Sequence, residues 1–188
     1  MASSCWARAT STPRWTAAAR GGLPMLVWGS RIDGQAYASV GSDNLRGGEL
    51  ATAHLIEHGR QRIAFLGDEQ LPEVAPRFAG YRRMLDAHGL VFDPRLHARS
   101  HFLSEDAYRL TRAMLKKTDP PDAVFAASDV IALGAIRALI EAGHRVPQDI
   151  ALVGFDDIPL AAYSQPPHPP CARTWRRPPP CWWTACCT

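Results

Sequence analysis

Three pairs and one arginine in this 188-residue chain have side-chain types and spacings that suit chemistry. Ser128-Asp129 pairs a hydroxyl with a carboxylate, and Asp156-Asp157 pairs two carboxylates. Adjacent carboxylates push their pKa values apart, so they can serve as acid and base or hold Mg2+. Plainer work suits them as well: Ser and Asp cap helices by accepting from orphan amides, and an Asp-rich loop can hydrogen-bond its own backbone. Arg77 offers a planar fork of donors that matches a carboxylate or a pair of hydroxyls. His54 and His58 stand at the i, i+4 spacing of metal ligands, but without the H-E-x-x-H order or a third ligand nearby they read as ordinary helical histidines. The chain contains no G-x-G-x-x-G, no Walker loop, no G-x-S-x-G elbow and no nucleophile–base pair, so neither a cofactor nor an enzyme is expected.

The elements that must position these groups alternate. Met25–Trp28 and Tyr37–Val40 are short apolar runs that suit strands. Asp43 or Asn44 can cap a helix over 46–58, which Gly59 would stop. Arg62–Leu66 reads as a strand and 77–88 as a helix, with Phe78, Tyr81 and Leu85 at i, i+3, i+7 and Gly89 as its end. Placing Arg77 at a helix start opposes the dipole and calls for a specific partner. A weaker strand is expected within Leu96–Phe102, then a helix capped by Ser104 with Glu105 and Asp106 in its first turn. Ala123–Ala126 is a strand, 129–142 a helix ending at Gly143, and Ile150–Val153 a strand closing at Gly154. Continuous apolar strands separated by helices mean a parallel sheet covered on both faces, with right-handed crossovers. Ligands of such sheets bind beyond the carboxyl ends of the strands, and Asp68 to Arg77, Ser128-Asp129 and Phe155–Asp157 all fall there.

Composition divides the chain sharply. No run approaches the ~18 apolar residues that span a bilayer. All 18 acidic residues lie between Asp33 and Asp157, so residues 23–167 carry −3 while the two ends together carry +6. That slightly acidic body is no nucleic-acid surface. All five cysteines are terminal, which excludes a disulfide framework in the body and suits a reduced, cytoplasmic domain. Residues 1–22 lack acids and residues 168–188 lack Leu, Ile, Val, Asp and Glu, while half of the 16 prolines fall between Pro159 and Pro180. Both ends are expected to be non-native or disordered flanks, with a Pro-rich ligand segment as the alternative for the tail.

Four ordered stretches carry a family likeness: Asp43-Asn44 with Gly47-Gly48 and Ala53-His54-Leu55; His58 through Gly67; Arg77-Phe78-Ala79-Gly80-Tyr81; and Ala123–Asp129 with Ala132-Leu133-Gly134 and Val146 through Asp157. Pro24–Pro167 thereby resembles the effector-binding domain of the lactose-repressor (LacI/GalR) family of bacterial transcription regulators. The resemblance implies an α/β fold of doubly wound parallel sheets, periplasmic-binding-protein-like (type I), with an incomplete N-terminal subdomain. It divides the chain into a remnant of that subdomain at 23–60 and a C-terminal subdomain at 61–167. It also implies that Arg77, Ser128, Asp129 and Asp156 line a cleft and contact a small effector, a sugar or a purine-like molecule. The family position of Ser128 is often Asn, so hydrogen bonding there differs.

The function that follows is ligand sensing for a transcription regulator, in a homodimer, with operator DNA reached only through a helix-turn-helix not recognisable in this sequence. A sugar-binding protein of a transporter is the alternative, and an Mg-dependent enzyme using Asp129, Asp156 and Asp157 a more distant one. Specific readout needs an element in a groove with side chains on base edges. In a gel-shift titration from about 50 to 200 mM salt, the chain is expected to show only weak, salt-sensitive association. Retention of one DNA sequence over scrambled competitor at the higher salt would contradict this reading.

Overall fold

A computed structural model of the chain describes residues 3–5, 12–156, 158 and 185–186. Two sheets organise it. The first is fully parallel in the order β1-β2-β3, from β1 (Ser3–Cys5), β2 (Met25–Trp28) and β3 (Ala38–Val40). The second has the order β5-β4-β6-β7-β8. Its members are β4 (Ile63–Leu66), β5 (His97–Ala98), β6 (Ala123–Ala126), β7 (Ala151–Val153) and β8 (Ala185–Cys186). The first four run parallel and β8 joins β7 antiparallel.

The second sheet holds the core. Every residue of β4, β6 and β7 is buried, as the unbroken apolar runs require of strands covered on both sides. Phe65 meets Phe125 edge to face at 5.2 Å, and Tyr81 packs beside them with its hydroxyl donating to the Ile63 carbonyl at 2.8 Å. The helices are α2 (Asn44–Glu57), α3 (Val74–Ala87), α4 (Ser104–Leu115) and α5 (Asp129–Glu141), preceded by α1 (Thr12–Arg20). α2 packs on α3 and α4 on α5, and right-handed crossovers set the two pairs on opposite faces. Glycines make both pairings close. A Cβ at Gly48 would run into the Arg77 carbonyl, one at Gly80 into the Leu45 carbonyl, and one at Gly134 into the Ser104 carbonyl.

Several expectations change. Within residues 1–22, expected as a non-native or disordered flank, Ser3–Cys5 forms β1 and Thr12–Arg20 forms α1, so disorder does not hold for these stretches. Ala17-Ala18-Ala19 has strong helix propensity, with Arg20 at the favoured end. β1 carries no pattern of its own and is set by the edge of β2. In the tail, Ala185–Cys186 likewise pairs with the edge of β7, whereas 159–184 and 187–188 lie outside the described residues. α2, assigned with the N-terminal remnant at 23–60, packs instead on α3, β6 and β7, because Gly47 and Gly48 admit Phe155 and the Arg77 backbone. α3 begins at Val74, so Arg77 sits at its fourth residue. β5 shrinks to His97–Ala98. Ser104 is the first residue of α4, with Leu103 at the cap and no side-chain capping bond.

The contact at Gly134 reverses the usual preference for alanine. In an open helix Gly→Ala stabilises by roughly 0.5–1 kcal/mol. Gly134→Ala, which would drive a methyl into the Ser104 carbonyl and to 3.0 Å from the Ala107 Cβ, is expected to destabilise by about 1–3 kcal/mol in urea unfolding.

Candidate functional site

The start of α2 and the carboxyl ends of β6 and β7 converge on one buried guanidinium. Arg77, 5% exposed, projects from the first turns of α3. Its Nε donates to Asn44 Oδ1 at 2.8 Å, Nη1 donates to the Ala127 carbonyl, and Nη2 donates to Asp156 Oδ1 at 3.4 Å. The guanidinium carbon lies 3.6 Å from the centre of the Phe155 ring, within cation–π range. Gly47 makes that seat, since a Cβ there would come within 2.5 Å of the Phe155 ring. Burial pulls the Arg77 pKa down, and the charge of Asp156 opposes the fall.

Ser128 and Asp129 stand where β6 hands over to α5. Ser128 has extended backbone and caps α5, its Oγ accepting from the Ile131 N–H at 3.3 Å. Asp129 is 2% exposed. Its N–H donates to the Phe155 carbonyl at 2.7 Å, and its Oδ2 accepts from the Ile158 N–H at 2.9 Å. These two bonds stitch the start of α5 to the loop after β7. Gly154 lets the carboxylate approach, because a Cβ there would collide with Asp129 Oδ1.

Asp156 has φ +109°, which a residue with a side chain rarely adopts, and is the only non-glycine with positive φ among the described residues. The loop of Gly154 and Phe155 sets this turn and aims the half-exposed carboxyl at Arg77. Burial pushes its pKa up to about 6, the charge of Asp129 adds to the rise, and Arg77 opposes it.

All four anticipated residues thus gather at one sheet edge, with Ser128 turned to its capping role. Asp157 lies outside the described residues. Among the described residues no three His, Cys, Asp or Glu are grouped to hold a metal ion. The His54 and His58 rings lie 4.3 Å apart, with His58 Nδ1 2.8 Å from the His54 carbonyl oxygen, and burial lowers the His54 pKa. Phe155 stands at the strand end where the sequence places it, and two further participants carry no site signal in the sequence: Asn44 and the Ala127 carbonyl. By its place after β3, Asn44 suits a helix cap. Asp43 takes that task by accepting from the Arg46 N–H at 2.9 Å, which releases the Asn44 amide for Arg77.

A family model described as "Periplasmic binding protein-like domain" matches residues 52–170. The chain is 38% identical over 150 residues to the HTH-type transcriptional regulator CelR of Thermobifida fusca, covering 78% of this chain and 44% of that protein. It is 34% identical over 148 residues to the HTH-type transcriptional repressor PurR of Haemophilus influenzae, covering 77% of this chain and 43% of that one. The solved structure of a transcriptional regulator CelR–cellobiose complex superposes with a TM-score of 0.74 at 34% identity, over 86% of this chain and 49% of that chain. The chain belongs to the periplasmic-binding-protein-like domains of the LacI family. It spans less than half the length of the curated relatives it matches. Doubly wound α/β layers agree with that membership, and no described helix is long and apolar enough to cross a membrane.

Within this family domain the raised Asp156 pKa has a direct thermodynamic sign. The folded chain binds this proton more tightly than the unfolded chain, whose Asp has the ordinary value of 3.8. The contribution is therefore fully present below about pH 4 and is lost as pH rises through about 6. Comparison of Asp156→Asn with the parent by thermal unfolding from pH 4 to 7 is expected to remove this decline. An unchanged pH slope would contradict the raised value.

Proposed function

We propose that this chain is the ligand-sensing part of a LacI-type regulator, and that a small polyhydroxylated effector, a sugar, binds at the edge formed by Arg77, Asp129 and Asp156. One observation carries the reading: a buried guanidinium held by a half-exposed carboxylate and an aromatic face at the carboxyl ends of parallel strands, where a buried carboxylate also stands. Sugar hydroxyls both donate and accept, so a site that offers carboxylate acceptors beside a forked donor meets them in pairs. Arg77 has five N–H donors, and three bonds to Asn44, Ala127 and Asp156 leave two for a ligand. The strained backbone of Asp156 supports the same reading, because strain of this kind persists where the surroundings impose a functional geometry.

The domain acts as a sensor and not as an enzyme, in the cytoplasm, as one half of a homodimer whose DNA contacts are made by another segment. Effector binding changes DNA affinity by favouring one arrangement of two subdomains. We place their boundary at residues 41–43, between β3 and α2, since α2 packs on the second sheet.

Isothermal titration with a panel of mono- and disaccharides, cellobiose included, and purine bases tests the proposal. Saturable heat is expected with at least one sugar. Arg77→Lys, which loses the planar fork, is expected to weaken that binding about tenfold or more, equivalent to at least ~1.4 kcal/mol. No saturable heat from any sugar at millimolar concentration would overturn the reading, and heat from purine bases alone would redirect the substrate class.

A further inference from the structure

We infer that Asn44 is a positioning residue that sets the orientation of Arg77 and ties it, through Ser30, to the first sheet. The inference deepens the effector-site reading and rests on it for its functional consequence. Asn44 is 5% exposed and opens α2, directly after the 41–43 segment that leaves β3. Its side chain makes two bonds in opposite directions. Oδ1 accepts from Arg77 Nε at 2.8 Å, and Nδ2 donates to Ser30 Oγ at 2.8 Å.

Chemistry fixes the direction of this relay. Arginine can only donate, so the amide must present its oxygen to Nε and its NH2 to Ser30, and the hydroxyl must accept. Ser30 is anchored in turn. It follows Gly29, whose N–H donates to the Val40 carbonyl at 2.8 Å, and Gly41 presses so close that a Cβ would lie 2.7 Å from the Gly29 oxygen. A continuous path therefore runs from the carboxyl end of the first sheet through Ser30 and Asn44 to the guanidinium. From there it reaches Ala127 and Asp156 at the carboxyl end of the second.

Capping does not explain Asn44, because Asp43 already accepts from Arg46 N–H. The guanidinium plane is held at three points, Nε, Nη1 and Nη2, with Phe155 on one face. Removing the Nε contact leaves the other two edges bonded but frees the plane to rotate, which misaims the two remaining donors. A shift of the first sheet relative to the second reaches the same contact. Asn44 thus makes the aim of the effector arginine depend on how the two layers sit, a coupling between distant elements.

The test uses the full chain and four variants: Ser30→Ala, Asn44→Ala, Asn44→Asp and the double Ser30→Ala/Asn44→Ala. Two readouts are taken, cellobiose affinity by calorimetry and the Arg77 Nε–H signal by NMR. Asn44→Asp keeps an acceptor for Nε and another for the Ser30 hydroxyl, so it retains the Nε–H signal. Ser30→Ala, which removes no contact to Arg77, is expected to shift that signal and accelerate its exchange, and to weaken cellobiose binding by about threefold or more. Asn44→Ala loses more, and adding Ser30→Ala to it changes nothing further, because the relay is already broken. A purely structural role would lower the melting temperature without moving the Nε–H signal. An unchanged Nε–H signal in Ser30→Ala, or additive losses in the double variant, overturns the inference. If cellobiose does not bind the parent chain, the NMR comparison still decides the positioning role, while the sugar reading is decided separately by the wider panel. If Asn44→Ala fails to fold, Ser30→Ala and Asn44→Asp carry the decision.

Discussion

A guanidinium cannot shed its proton, so burying Arg77 obliges its surroundings to provide acceptors and counter-charge. Removing one partner from such a buried set typically costs about 3–5 kcal/mol, because the remaining charge stays uncompensated. Arg77 answers this demand with partners from three places in the chain: Asn44 at the start of α2, Ala127 at the end of β6 and Asp156 after β7. Each lies more than 30 residues away in sequence from the arginine. The constraint thus closes the fold around the site, and the elements are arranged so that it can be met. Gly48 and Gly80 bring α3 against α2, Gly47 makes room for Phe155, and Gly154 makes room for Asp129.

The same constraint explains why the two carboxylates differ. Asp129 is buried and tied to the Ile158 N–H and to the loop after β7, with one oxygen turned toward Gly154. Asp156 is half-exposed, faces Arg77 across 3.4 Å and holds its proton to about pH 6 under the combined influence of burial and Asp129. Asp156 beside the forked donor of Arg77 presents both donor and acceptor character to a ligand without any metal-binding cluster among the described residues.

Much of this was legible in the residues. The unbroken apolar runs of β4, β6 and β7 announced a parallel sheet covered on both faces, and Gly59, Gly89 and Gly143 marked helix ends where the chain takes φ of +78°, +69° and +86°. The rule that ligands sit beyond strand carboxyl ends, joined to the family likeness, led to Arg77, Ser128, Asp129 and Asp156. What escaped was non-local. Asn44 looks like a cap until Asp43 takes the cap, and the Ala127 carbonyl has no side-chain signal at all. β1 and β8 are strands only because neighbouring edges pair with them. The alanines of α1 signal a helix by propensity alone.

The central claim is that Arg77 and its two carboxylates form the effector edge of a LacI-family sensing domain. A crystal structure of the chain grown with saturating cellobiose tests it most directly. The account predicts sugar hydroxyls within hydrogen-bond distance of the Arg77 guanidinium and of the Asp156 carboxyl, with Asn44 still bound to Nε. A sugar seated elsewhere on the second sheet, with Arg77 untouched and its three bonds unchanged, would contradict it.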